Sequence, residues 1–456
     1  MRKENPKLPN TSLCEELISI DNIELAIKKV KSNKGAAGID GMTVYELKDE
    51  FDKRSEEIKS RILARTYRPK QSLRVQIPKD NGKMRMLGIP TVIDRTVQQA
   101  VVKVITPMFE ETFSDFSYAY RPMRSAEDAA RQASIYMAEG YKYVVDLDLS
   151  KYFDTVNHDI LMGLIDKTLK DKDVRRLIYS FLKAGAMENG FPVETPEGTP
   201  QGGVISPILS NIYLTPFDKE MEKRTIKCIR YADDCKLFAK SEMASRRIMR
   251  NAIKFLENKL KLKVNTEKTE SRPARGSKML GFIFCSCGYI DEANQYHLGY
   301  CVPREKAWDN FKDRIREITK RNRGSSIERV IRELNWFLRG WINYYGRSSI
   351  STKLGTLQAW IRRRVRQYCY KLWKTSKARK HQLRLLGCNE KKISTYFLSS
   401  NSYWKMSMAM NNVITNKIIH EKLGLLEIKE YYELRNASSK LEDVFYIALH
   451  RYGEVI

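Results

Sequence analysis

Apolar positions recur along this chain at helical spacing in long blocks, separated by shorter runs with the alternation of strands. Residues 12–33 place Leu13, Leu17, Ile18, Ile23, Leu25, Ala26 and Val30 on one face, which predicts an amphipathic helix starting near Ser12 and interrupted around Asp21-Asn22. Residues 67–90 read as a β-hairpin with Asp80-Asn81-Gly82 as its turn, and 94–109 return to helical spacing. A strand at 143–149, helices across 156–185, a loop at 195–203 and a helix over 206–223 follow, with Ser206 expected as N-cap and Pro207 in the first turn. Then come strands at 227–231 and 235–239, a helix at 243–260 and a strand at 262–265. Strand, helices, two strands, helix, strand is the split βαβ order of a ferredoxin-like fold. Beyond it, helices are expected at 304–321, with Trp308, Phe311, Ile315 and Ile318 on one stripe, and at 327–345. Such aromatic stripes read first as core.

Composition narrows the partners. At 456 residues the chain is long enough for two to four structural units. Its net charge of +27, from 82 Lys and Arg against 55 Asp and Glu, points to a polyanion, because neutralising phosphates releases counterions. No apolar run reaches spanning length and Met1-Arg2-Lys3-Glu4 does not open a signal peptide, so a soluble, cytoplasmic protein is expected without a membrane partner. Eight scattered Cys suggest reduced thiols, and 24 Tyr with 6 Trp suit base stacking as well as packing.

The chemistry concentrates around Asp233 and Asp234, which lie between the two strands 227–231 and 235–239 at an expected hairpin tip. Two carboxylates so close repel, and a divalent cation keeps both ionised; an isolated Asp-Asp would be read as a plain turn. A second acidic strand, with Asp146 and Asp148, changes that, since in the split βαβ order it neighbours the hairpin and lets Asp148 face the pair. Oxygen donors of this kind suit Mg²⁺ and two-metal nucleotidyl transfer. Phe153, five residues past Asp148, either packs under a sugar and excludes a 2′-hydroxyl or serves packing alone. Lys79 and Arg85 on the first hairpin either hold a triphosphate or face solvent. Pro122 argues for a loop that sets Arg121 and Arg124 over backbone phosphates, and Gln201, beside Gly202, is placed to reach a nucleotide or template base. The loop at 33–41 combines Lys34 with Gly35, Gly38 and Gly41, either as a plain turn or as a close approach to a phosphate chain. From 334 to 389 there is no Asp or Glu against thirteen Lys or Arg, including Arg362, Arg363, Arg364 and Arg366, which favours a nucleic-acid groove. Cys285, Cys287, His297 and Cys301 lack the paired spacing of zinc sites and read as part of an ordinary hairpin.

Taken in order, Lys79 and Arg85, Tyr120-Arg121-Pro122-Met123-Arg124-Ser125, Asp146 to Asp154, Gly198 to Pro207, Tyr231-Ala232-Asp233-Asp234 and Leu280-Gly281-Phe282 resemble the motifs of reverse transcriptases. Over residues 12–430 the chain most resembles those encoded by bacterial group II introns, in the form lacking an HNH endonuclease. The resemblance implies an α+β right-hand polymerase: an N-terminal extension of the fingers (1–55), fingers and ferredoxin-like palm (56–300), a helical thumb or maturase region (301–375) and a small basic C-terminal DNA-binding-like domain (376–456). It further implies that Asp148, Asp233, Asp234 and the Leu149 carbonyl bind two Mg²⁺ ions, that Phe153 is the sugar gate and that Lys79 and Arg85 clamp the triphosphate of a dNTP. Gln201 would contact the nascent pair, Tyr231 the primer end, and Lys34 and Gly35 would lie over the template. The implied partners are a structured intron RNA as template and a DNA primer or target, in the bacterial cytosol or nucleoid. A maturase acting mainly as an RNA-binding splicing cofactor, and a domesticated relative in DNA repair or phage defence, are the alternatives.

Overall fold

Ser12 opens the first helix as expected: its hydroxyl accepts from the Glu15 amide (3.2 Å) while the Glu15 carboxylate accepts from the Ser12 amide (2.9 Å). The structure is a computed structural model that describes residues 12–78, 82, 84–188, 191–193, 197–198, 202–291, 295–395 and 403–437. Lys79, Gln201 and the Arg85 side chain, all expected at the nucleotide, lie outside what is described. The chain forms two units, Met1–Ala274 and Arg275–Ile456.

In the first unit, α1 (Leu13–Ile18) stops at Ser19, whose hydroxyl accepts from the Asn22 amide (3.4 Å) and starts α2 (Ile20–Ser32). The interruption thus falls two residues before the expected one, where a second capping side chain is available. After α3 (Leu47–Leu63), β1 (Ser72–Pro78) and β2 (Met84–Ile89) pair antiparallel, Leu73 opposite Ile89. Next come α4 (Val92–Glu110), capped by Thr91, and α5 (Ala126–Ala138), capped by Ser125. The chain then runs β3 (Tyr143–Leu147), α6 (His158–Thr168), α7 (Lys172–Leu182), the short β4 (Ala186–Glu188) and β5 (Phe191–Val193), which extend the β1–β2 sheet through β1, then α8 (Ser206–Lys223), β6 (Lys227–Tyr231), β7 (Asp234–Ala239), α9 (Glu242–Lys259) and β8 (Glu270–Pro273), with β3, β6, β7 and β8 forming the palm. The palm sheet has the order β6-β7-β3-β8 with antiparallel neighbours, as the split βαβ reading requires.

Two local expectations are corrected. The fourth palm strand is Glu270–Pro273 and not 262–265; Leu262 and Val264 are buried in the core, and Val264 makes only an isolated bridge to Leu149. Alternating apolar residues marked a strand there because a buried crossing segment imposes the same pattern. Ser206 is the first helical residue of α8 and Ile205 the N-cap, with no capping side chain. Gln98 of α4 supplies the acceptor instead, its Oε1 receiving the amides of Val204 (2.9 Å) and Ile205 (3.4 Å).

The second unit begins with β9 (Lys278–Met279), β10 (Phe282–Phe284), β11 (Gly288–Ile290), β12 (Tyr296–Leu298) and β13 (Cys301–Pro303). Helices α10 (Glu305–Ile318), α11 (Ile327–Tyr345) and α12 (Ser351–Leu372) follow, then α13 (Ser376–Leu385) and shorter helices to Ala437. The aromatic stripe is core: Trp308 and Phe311 of α10 lie 4.7 Å from the Trp341 ring of α11, centroid to centroid. Trp336 departs from it, 66% exposed on the outer face of α11. Among the described residues no helix is long and apolar enough to cross a membrane.

Candidate active site

Register brings the acids together. β3 and β7 pair Val145 with Leu237, Asp146 with Lys236 and Leu147 with Cys235, so the next step beyond the strand end sets Asp148 across from Asp234. Directly opposed residues share a face of an antiparallel sheet and period two keeps Asp146 and Asp148 on one side, so the sheet presents Asp146, Asp148, Asp234 and Lys236 together. β6 and β7 are joined through Ala232 and Asp233, with Tyr231 opposite Asp234; Ala232 is left-handed (φ 58) and Asp233 stands exposed at the tip.

Asp146, Asp148 and Asp234 each have a cation or amide at hand. Asp148 Oδ2 accepts from Asn265 Nδ2 (3.0 Å) and lies 3.4 Å from the Lys268 ammonium, while the Asp148 carbonyl accepts from the Asn265 amide (2.8 Å). Lys236, its side chain 7% exposed, donates to Asp146 Oδ1 (2.6 Å) and sits 3.5 Å from Asp234 Oδ1. Burial holds the Asp234 carboxyl above the usual carboxylate range; Asp146 and Asp233 add to the rise and Lys236 opposes it. With 43% of that side chain exposed, solvent limits the effect. Lys236, Asn265 and Lys268 were missed from sequence, although the alternation of Asp234 and Lys236 opposite Asp146 and Asp148 was a usable signal for the first.

Among the described residues no three acidic, His or Cys side chains converge closely enough to enclose an ion. The donor chemistry nevertheless fits a hard divalent cation: the donors are carboxylate oxygens at adjacent strand ends, and the charges now beside Asp148 and Asp234 belong to Lys268 and Lys236. Leu149, the expected carbonyl donor, is held at this edge by its bridge to Val264.

Phe153 sits half-buried in a short 3₁₀ turn, Tyr152–Asp154, entered through left-handed Lys151 (φ 48). Its ring meets the buried Tyr152 ring edge-on at 5.2 Å, and the Tyr152 hydroxyl donates to the Ser210 carbonyl (3.0 Å). Gly198 (φ 94) backs this turn, since a Cβ there would lie 2.8 Å from the Phe153 carbonyl oxygen. Tyr231 is partly exposed beside the acids.

Several arginines expected at nucleic acid have partners within the protein. Arg121 is buried, donating to Glu110 Oε1 (2.8 Å) and to the carbonyls of Ser114 (2.5 Å) and Ser117 (2.9 Å), so its guanidinium serves the fold. Arg124 pairs with Asp115. In the second unit Arg366 is buried against the Ile414 carbonyl and Asn416 (both 2.8 Å), and burial pushes its guanidinium down to about 10. Arg364 donates to Thr319 Oγ1 (2.6 Å), Arg362 lies 3.4 Å from Glu427, and Arg363 stacks 3.6 Å over the Trp404 ring. These four arginines tie α12 to its neighbours, while Lys353, Lys374 and Lys377 of the same basic stretch remain exposed. In the 33–41 loop Lys34 is exposed and left-handed (φ 48), whereas Gly35 and Gly38 pack on Arg95 and Thr91. His297 bonds Asp291 (2.8 Å) and stacks on Tyr289 (4.6 Å).

A four-stranded antiparallel palm in this order, with carboxylates at the adjoining ends of its central strands, defines a palm-type nucleic-acid polymerase. Residues 77–284 match the family described as reverse transcriptase (RNA-dependent DNA polymerase), and 308–386 the group II intron maturase-specific domain. Protein YkfC of Escherichia coli (strain K12) is 32% identical over 319 residues, covering 60% of this chain and 83% of YkfC. The group II intron-encoded protein LtrA of Lactococcus lactis subsp. cremoris is 36% identical over 269 residues, covering 58% of this chain but 44% of LtrA. Among solved structures, the partial Cas6-RT-Cas1--Cas2 complex overlaps 55% of this chain and 43% of that one, at 21% identity and a TM-score of 0.36. The chain belongs to the group II intron family of reverse transcriptases and maturases.

Proposed function

We propose that the chain extends a primer 3′-hydroxyl with dNTPs on an RNA template, and binds structured intron RNA as a maturase. The register that sets Asp148 across from Asp234, with Asp233 at the adjoining tip, carries the polymerase reading. Asp148, Asp233, Asp234 and the Leu149 carbonyl would hold two Mg²⁺, which when bound activate the hydroxyl and neutralise the leaving pyrophosphate. Lys236 and Lys268 lie beside Asp234 and Asp148 and orient their carboxylates before loading. Phe153 holds its ring where a 2′-hydroxyl would collide, Lys79 and Arg85 take the triphosphate, Gln201 the nascent pair, and Tyr231 flanks the primer end. The match of 308–386 to the maturase-specific domain supports the intron-RNA partner.

The test is extension of a DNA primer on an RNA template with Mg²⁺ and dNTPs. Asp233→Ala should lower the rate by about a thousandfold or more while RNA affinity stays within about twofold. Wild-type extension by the purified variant would refute the site. Splicing assistance should survive the same substitution.

A further inference from the structure

We infer that Arg230 is a positioning residue for this reaction: its buried guanidinium fixes the main-chain turn from which Asp233 projects. The inference rests on the active-site reading above and names how that site is held. Arg230 lies on β6, 1% exposed, one residue before the Tyr231-Ala232-Asp233-Asp234 stretch. A guanidinium has five N–H donors, and here every nitrogen is engaged. Nε faces both Asp218 oxygens (2.9 and 3.0 Å), and Nη2 donates to Asp218 Oδ2 (2.6 Å) and Ser117 Oγ (2.9 Å). Nη1 donates to Asn211 Oδ1 (2.9 Å) and to the Ala232 carbonyl (3.1 Å).

That last bond reaches the turn. Ala232 is left-handed (φ 58), at a hairpin position that ordinarily takes glycine, asparagine or aspartate. An alanine stays there only where its surroundings impose the conformation, and the Arg230 donor is the group that meets its carbonyl.

The other end of the network is buried. Asp218 (0% exposed) and Asn211 (0%) both belong to α8, and Asn211 Nδ2 donates to the Ala119 carbonyl (2.8 Å). The Arg230 amide donates to the Phe116 carbonyl (2.7 Å) and its own carbonyl accepts from the Tyr118 amide (2.9 Å). One side chain therefore joins the acid-bearing turn to α8 and to the 116–119 segment. A buried ion pair adds little net stability over a well-packed apolar side chain of similar volume, so the donor aimed at Ala232 is what an apolar core residue could not replace.

The experiment measures single-nucleotide extension by wild type, Arg230→Lys and Asn211→Ala, with thermal midpoints recorded alongside. Arg230→Lys keeps the charge and loses the fork; kcat should fall about a hundredfold and the Mg²⁺ concentration for half-maximal rate should rise, while primer–template affinity stays within about twofold. Asn211→Ala leaves the Arg230–Asp218 pair in place but removes the acceptor that Nη1 and Ser117 Oγ share, so the guanidinium as a whole loses one of its two α8 supports and kcat should fall about tenfold even if Arg230→Lys fails to fold. An unchanged kcat and Mg²⁺ dependence in folded Arg230→Lys or Asn211→Ala would overturn the inference. So would a loss of kcat matched by an equal loss of primer–template binding. Should wild type itself fail to extend, the active-site reading falls; should wild type extend and either folded variant equal it, only the role of Arg230 falls.

Discussion

At the scale of single residues, Phe153 shows how position is secured from below. Its ring rests edge-on against Tyr152, which is buried and anchored to the Ser210 carbonyl, so the ring has no room to withdraw inward. On the proposed gating role, Phe153→Val should open space at the sugar and raise ribonucleotide incorporation relative to deoxynucleotide by about tenfold or more. Competition between NTP and dNTP in the extension assay reads this directly, and an unchanged ratio would remove the gate. Arginines teach the complementary lesson. Arg121 and Arg366 stand in stretches whose composition suggests phosphate contacts, yet each finds carbonyl oxygens inside the protein. A buried guanidinium left unpaired would be destabilising, so once burial is imposed internal acceptors are required.

Among the elements, the 33–41 loop separates a fold requirement from a functional one. A Cβ on Gly38 would fall 2.7 Å from the Thr91 Cα and 2.9 Å from the Pro90 carbonyl carbon, both backbone atoms that cannot swing aside. Gly38→Ala should therefore cost about 1–3 kcal/mol, seen as a lowered thermal midpoint, with extension per folded molecule unchanged. A variant of wild-type stability would show that the loop and the start of α4 yield easily. Elements with unbroken apolar periodicity were legible: α8 and α11 span the residues expected, and the acidic strand and hairpin fall within a residue or two of theirs. The strand expected at 262–265 was not legible, because Leu262 and Val264 fill the core from an irregular segment whose pattern imitates a strand. The capping of α8 was equally hidden, since its acceptor comes from Gln98, over a hundred residues earlier in the chain.

For the whole molecule, the excess charge of +27 predicts affinity that depends steeply on salt. Binding to a non-cognate RNA should weaken by about a thousandfold between roughly 50 and 200 mM monovalent salt, measured by filter binding or fluorescence anisotropy. A flat response would argue against phosphate contacts as the source of affinity. The exposed Lys374 and Lys377 are better placed to supply those contacts than the buried Arg366.

Sequence alone determined the order of motifs, the polyanionic class of partner, most helices and the ferredoxin-like strand order, because periodicity, capping and net charge are local or additive properties. Tertiary structure decided which acids share a sheet face, which arginines remain available and how the Ala232 turn is held. Register is set by pairing between residues ninety positions apart, Asp146 with Lys236, and a guanidinium's acceptors come from wherever the fold brings carbonyls and carboxylates within bonding distance. Those relations exist only once the chain has closed on itself.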